Sequence, residues 1–242
     1  MIEYDQIDTL FLDAGNTLVS MNFAWIAEEL RRLGFGAETE SIRRAEAAAR
    51  PTVSQQCAEG LAVESGQAFL MALAELLKRL QATQQLSESA LHGLAAELAE
   101  RIKIPGNDYR LWSWLMPAAE DALDELHALG LQLVVVSNSD GSVERALGEL
   151  GLTSRLAAVF DSAIVGYEKP DPKIFEHALA ESGAERNRTV HVGDMYYQDV
   201  EGARRAGLHG VLLDPFDDWD VSDCVRHRDL LELAQHIAAA RR

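Results

Sequence analysis

Thr9-Leu10-Phe11-Leu12 runs without interruption into Asp13-Ala14-Gly15-Asn16-Thr17-Leu18. An apolar run of this length that stops at an aspartate and a Gly-Asn turn reads as a strand buried on both faces, and therefore as a parallel one. Beyond this turn the texture of the chain changes. From Phe23 to about Arg101 it is rich in Ala, Leu, Glu, Arg and Gln, and the apolar positions of 24–33, 40–49, 67–80 and 88–102 recur at helical spacing.

After Pro117 the pattern alternates. A helix is expected over 118–129, a strand over 131–136 and a helix over 143–150. A short strand comes next over 162–165, then a helix over 172–181, a strand over 189–192, a helix over 199–206 and a strand over 210–213. Strands alternating with helices imply βαβ units and a parallel sheet. The expected fold is therefore an α/β, Rossmann-like core made of residues 1–20 and 117–242, with a helical cap, residues 21–116, inserted after the first strand.

The charge distribution respects that partition. The chain has 242 residues, 39 acidic against 22 Lys and Arg, and a net charge of −17. Residues 21–116 carry 12 acidic and 10 basic side chains, so nearly all of the surplus lies in the core. Most of the arginines at 31, 32, 43, 44 and 50 read as solvated helix faces paired with nearby Glu, with one or two left to face a ligand between insert and core. A chain this acidic is a poor partner for nucleic acid or an anionic membrane surface. Cys57 and Cys224 are far apart in sequence, the N-terminus has no secretory pattern, and the longest apolar run is too short to span a bilayer. These features point to the cytoplasm.

In a parallel α/β sheet, ligands bind beyond the carboxyl ends of the strands. Four polar groups fall there: Asp13, Ser137-Asn138, Lys169, and Gly193-Asp194 followed by Asp199. Singly, each is an ordinary cap or turn residue. Together they make chemical sense. Asp13 and Asp194 can share a hard divalent ion, which takes one or two carboxylates and keeps water or substrate oxygens. Asp13 can attack an electrophile such as phosphorus, while Ser137 and Lys169 neutralise phosphoryl oxygens.

With these four motifs in order, the sequence resembles the haloacid dehalogenase superfamily across its core, and the insert lies where that superfamily carries a helical cap. The resemblance implies that Asp13 is a nucleophile forming an aspartyl intermediate and that Ser137 and Lys169 bind the phosphoryl group. It also implies that Asn138 lines the pocket and that Thr17 holds the first loop by a hydrogen bond. Mg²⁺ would then be held by Asp13, the Gly15 carbonyl and Asp194, with Asp199 supporting its waters.

One position departs from the pattern. Gly15 stands where phosphatases of the superfamily carry a second aspartate that donates and accepts the proton, a role worth roughly 10²–10⁴ in rate. Three readings are open. The first is a Mg²⁺-dependent phosphatase of a small phosphorylated metabolite, with a cap residue such as Glu28, Glu29, His92 or Tyr109 supplying the proton. The second is a binding protein that has lost turnover. The third is a metal-independent 2-haloacid dehalogenase, against which Asp194 and Asp199 argue.

Overall fold

The computed structural model describes residues 2–61, 65–103 and 110–242. Six parallel strands form the central sheet: β1 (Thr9–Leu12), β4 (Gln132–Ser137), β5 (Ala158–Asp161), β6 (Thr189–Gly193), β7 (His209–Leu213) and β8 (Val225–His227). Their spatial order is β5-β4-β1-β6-β7-β8. The chain thus winds outward from β1 in one direction, returns, and winds outward in the other. The gap between β1 and β6 is the switch point at which such sheets bind ligands.

Both faces of the sheet are covered, which is why its strands read as continuous apolar runs. Leu10, Leu12, Leu133, Val135, Val190 and Val192 pack with α5 (Ala119–Ala128), α6 (Val143–Glu149) and α10 (Leu230–Ala240). On the opposite face Phe11, Val134 and Val136 pack with α8 (Pro172–Ser182) and α9 (Gly202–Arg205).

The first strand and the rest of the sheet are separated by four helices: α1 (Phe23–Arg32), α2 (Thr39–Ala58), α3 (Gly66–Arg79) and α4 (Glu88–Ile102). These bury their own apolar cluster, including Ile26, Leu30, Ile42, Leu73, Leu77, Leu94 and Leu98. A helical face needs such a partner because most helix stability in water comes from packing. The chain leaves and re-enters the core side by side. Strand β2 (Val19–Ser20) pairs antiparallel with β3 (Trp114–Leu115), and Trp112 packs against both apolar clusters.

Four elements differ from the sequence expectation. The strand expected at 162–165 is a helical turn, α7 (Ser162–Val165), and the strand precedes it as β5. Asp161 accepts from Ala163 N–H and left-handed Gly166 closes the turn, so local capping overrides the β-branched composition. The helix expected at 199–206 begins as a π-helical turn, Tyr196–Glu201, before α9. The last strand and helix, β8 and α10, extend the sheet beyond the expected set.

Candidate active site

Asp13 N–H still donates to the Val192 carbonyl at 2.8 Å, so the first residue after β1 remains tied to β6 at the switch point. The next turn is held by backbone: Leu18 and Val19 N–H groups both donate to the Ala14 carbonyl, at 2.9 and 3.0 Å. The Thr17 hydroxyl, expected to hold this turn, is buried with no hydrogen-bond partner among the described residues. The backbone bonds make its help unnecessary.

Lys169 lies almost fully buried in the loop between α7 and α8. Its ammonium donates to Asp13 Oδ1 at 2.6 Å and to Asp199 Oδ1 at 2.7 Å. Asn138 pins the lysine backbone from both sides: its Nδ2 donates to the Lys169 carbonyl at 2.9 Å, and Lys169 N–H donates to its Oδ1 at 2.7 Å. Asp199 is itself held, by His191 Nε2 at 2.9 Å and by Met195 N–H at 2.9 Å. It fits only because residue 193 is glycine, since a Cβ there would fall 2.2 Å from its carboxyl group. Both oxygens of Asp199 therefore have protein partners, and it acts on the site through Lys169.

A second cluster bridges the core and the insert. Asn16 Nδ2 donates to Asp194 Oδ2 and to Glu46 Oε1, each at 3.1 Å. Glu46, on α2, also accepts from Arg50 at 2.6–3.1 Å, and Arg50 Nε stands 3.3 Å from Asp194 Oδ2. Ser20 Oγ donates to Asn16 Oδ1 at 2.6 Å, which fixes the orientation of the amide. Farther along the same helix, Tyr197 N–H donates to Ser54 Oγ at 3.1 Å. Arg44 makes a bidentate pair with Asp218 at 2.6 and 2.8 Å.

Burial dominates the electrostatics. It pushes the Asp13 carboxyl up to about 6 even though the Lys169 charge pulls the other way, and it pushes Asp194 up to about 8 against Arg50, with the Asp13 charge adding to the rise. Asp199 suffers the same burial, but the Lys169 ammonium and the His191 hydrogen bond outweigh it and hold that carboxyl below its ordinary range. Burial holds His191 below its usual value, so the neutral ring donates through Nε2. Asp13 and Asp194 are thus two desolvated carboxyl groups, and the charge of the first raises the proton affinity of the second.

Among the described residues, no three His, Cys, Asp or Glu side chains are disposed to share a metal ion. Asp13, Gly15 and Asp194 line one cavity, and carboxylates with a backbone carbonyl are the kind of all-oxygen donors that Mg²⁺ accepts, completed by water or substrate. The donor chemistry fits that ion.

A family profile described as haloacid dehalogenase-like hydrolase matches residues 7–207. The chain belongs to the haloacid dehalogenase-like hydrolases. It is 38% identical over 132 residues to the human haloacid dehalogenase-like hydrolase domain-containing protein 3, covering 52% of this chain and 51% of that one. It is 34% identical over 110 residues to a ribulose-1,5-bisphosphate 5-phosphatase of Halopiger xanaduensis, covering 45% and 46%. The chain thus spans about half the length of the curated relatives it matches. In fold it is similar to the HAD-hydrolase YfnB of Bacillus subtilis, with a TM-score of 0.64 at 17% identity over 96% of this chain and 98% of that one.

The protein holds a partly open cavity of about 240 Å³ over the switch point. Asp13, Gly15, Ser137, Asn138, Lys169, Asp194 and Asp199 line its floor, and Thr17 does not reach it. Of the proton donors expected from the insert, His92 is exposed, Glu28 and Glu29 are paired with arginines, and none of the three lines the cavity. Tyr109 lies outside the described residues. The sequence reading missed Asn16 and Glu46 and left Arg50 among the helix-face arginines. The available signal was the Glu46/Arg50 spacing of four on α2, which is common on any solvated helix.

Proposed function

We propose that this hydrolase is a Mg²⁺-dependent phosphatase that cleaves small phosphomonoesters through an aspartyl-phosphate on Asp13. The observation that carries the reading is Asp13 at the switch point, bonded to Lys169 and lining one cavity with Asp194. A phosphatase-named relative supports the same class of reaction. Mg²⁺ held by Asp13, the Gly15 carbonyl and Asp194 would neutralise charge on the transferring phosphoryl group.

The chain's own residues divide the remaining labour. Lys169 fixes one Asp13 oxygen and offers its charge to the equatorial phosphoryl oxygens, and Ser137 adds a hydroxyl donor. Attack forms the Asp13–phosphorus bond as the ester oxygen departs. Closure of the helical cap excludes bulk water. In the second step water attacks the acyl-phosphate. Glu46 is the described carboxylate of the insert that lines the cavity, and Arg50 keeps it oriented to take the proton of that water.

A specific observation favours a second reading, a binding protein without turnover. A Cβ at Gly15 would lie 3.3 Å from the Trp112 ring, so an indole edge borders the place of the missing acid. Phosphate release from p-nitrophenyl phosphate with Mg²⁺, compared with chelator and with Asp13→Asn, decides between them. Phosphatase action requires wild-type turnover that chelator removes and that falls by about 10⁴ or more in the variant. Wild-type protein no faster than Asp13→Asn supports the binding protein.

A further inference from the structure

The cavity has two unlike ends. Most of its charged groups gather at the floor, where Lys169, Arg50 and Glu46 are already bound to Asp13, Asp194 and Asn16. The insert closes it with Val53, Cys57, Phe69, Ala72, Leu76 and Trp112, an apolar wall supplied by α2, α3 and the returning segment. Ser65 and Lys103 also line it, with the Lys103 ammonium 5.0 Å from the Phe69 ring centroid. A leaving group rich in hydroxyls would surrender its water to aliphatic carbon there.

Size and chemistry narrow the occupant. An apolar cavity of about 150 Å³ admits benzene. A total of about 240 Å³ therefore accommodates a phosphoryl group and one aromatic ring. Next to Gly15 the leaving oxygen meets no carboxylic acid from that position, and the Trp112 ring borders it instead. Departure without a proton donor suits an oxygen that is stable as an anion, and a phenol, with a pKa of about 10, supplies one.

Resting on the phosphatase reading, we propose that the site takes aryl phosphomonoesters, with the ring seated between α2, α3 and Trp112. Asp13 forms its bond to phosphorus while the phosphorus–oxygen bond to the ring breaks. The electron pair leaves on the phenolate oxygen, which solvent protonates.

Calorimetric titration with benzylphosphonate and with 2,3-dihydroxypropylphosphonate, both in Mg²⁺, tests the assignment without relying on turnover. Benzylphosphonate is expected to bind at least tenfold more tightly, and A72F, which fills the chamber, should abolish the difference. Equal affinities in the wild type, or tighter binding of the dihydroxypropyl compound, overturn the assignment, and that comparison needs no variant to fold. Hydrolysis of phenyl phosphate and glycerol 3-phosphate, run in parallel, keeps the two claims apart. Turnover with no preference for benzylphosphonate removes the aryl assignment alone. A strong preference with neither ester cleaved removes the phosphatase reading and leaves a ring-binding chamber.

Discussion

The two halves of the site are built on different terms. The half around Lys169 comes wholly from the core: Asp13 and Asn138 follow β1 and β4, His191 sits on β6, Asp199 lies in the π-helical turn after it, and each polar contact is made among core residues. The half around Asp194 is shared. Asn16 and Asp194 come from the core, while Glu46 and Arg50 come from α2, so the cluster exists only while the insert rests on the sheet. The first half fixes where phosphorus would sit. The second ties that position to the insert through Glu46 and Arg50 of α2.

Breaking the core half should have the largest effect. Lys169→Met leaves Asp13 and Asp199 buried without their shared cation, and urea unfolding should report a loss of about 3–5 kcal/mol. A loss below about 1 kcal/mol would mean that this half does not depend on that cation. In the bridging half, Glu46→Gln should lower kcat by about 10²-fold with a burst of bound phosphate, because the second step loses its base. Rapid-quench kinetics reads this, and an unchanged steady state with no burst would take Glu46 out of the chemistry.

Arg44→Ala probes closure alone. Its pair with Asp218 is partly exposed, so the expected loss is about 0.5 kcal/mol, with greater protease sensitivity of the insert than of the core. Equal sensitivity of both regions would contradict a separable cap.

A site outside both halves gives the smallest effect. Burial on β8 holds His227 below its ordinary 6.5; the neighbouring His236 charge adds to this, while Glu232 and Asp229 oppose it. A depressed folded value means that the stabilisation is complete above about pH 6.5 and is lost as pH falls through the folded value. The slope of the urea midpoint between pH 8 and pH 5 should therefore shrink in His227→Gln. An undiminished slope would assign the acid sensitivity elsewhere, with buried His191 the next candidate.

The legible part of the molecule was the part whose chemistry is local to strand ends. Asp13, Ser137 and Asp194 each end or follow an apolar run that reads as a buried strand, and in a parallel sheet those ends share one edge, whereas Lys169 reaches the same edge from the loop after α7. The turn α7 was not legible, because Asp161 capping and Gly166 closure compete with an Ala-Ile-Val run that favours a strand on composition. Asn138 lines the cavity, and its amide is also spent on the Lys169 backbone. No sequence spacing announces a bond across 31 residues.

Sequence alone determined the α/β layering, the helical insertion after the first strand and the acids of the sheet edge, because hydrophobic periodicity and chain order are written residue by residue. Only the tertiary structure decided that Arg50 and Glu46 meet Asp194 and that Trp112 borders Gly15. Only it decided that an apolar wall faces the charged floor. These depend on how α2 and α3 settle over the sheet, and a helix looks the same in sequence whichever of its faces is turned toward the site.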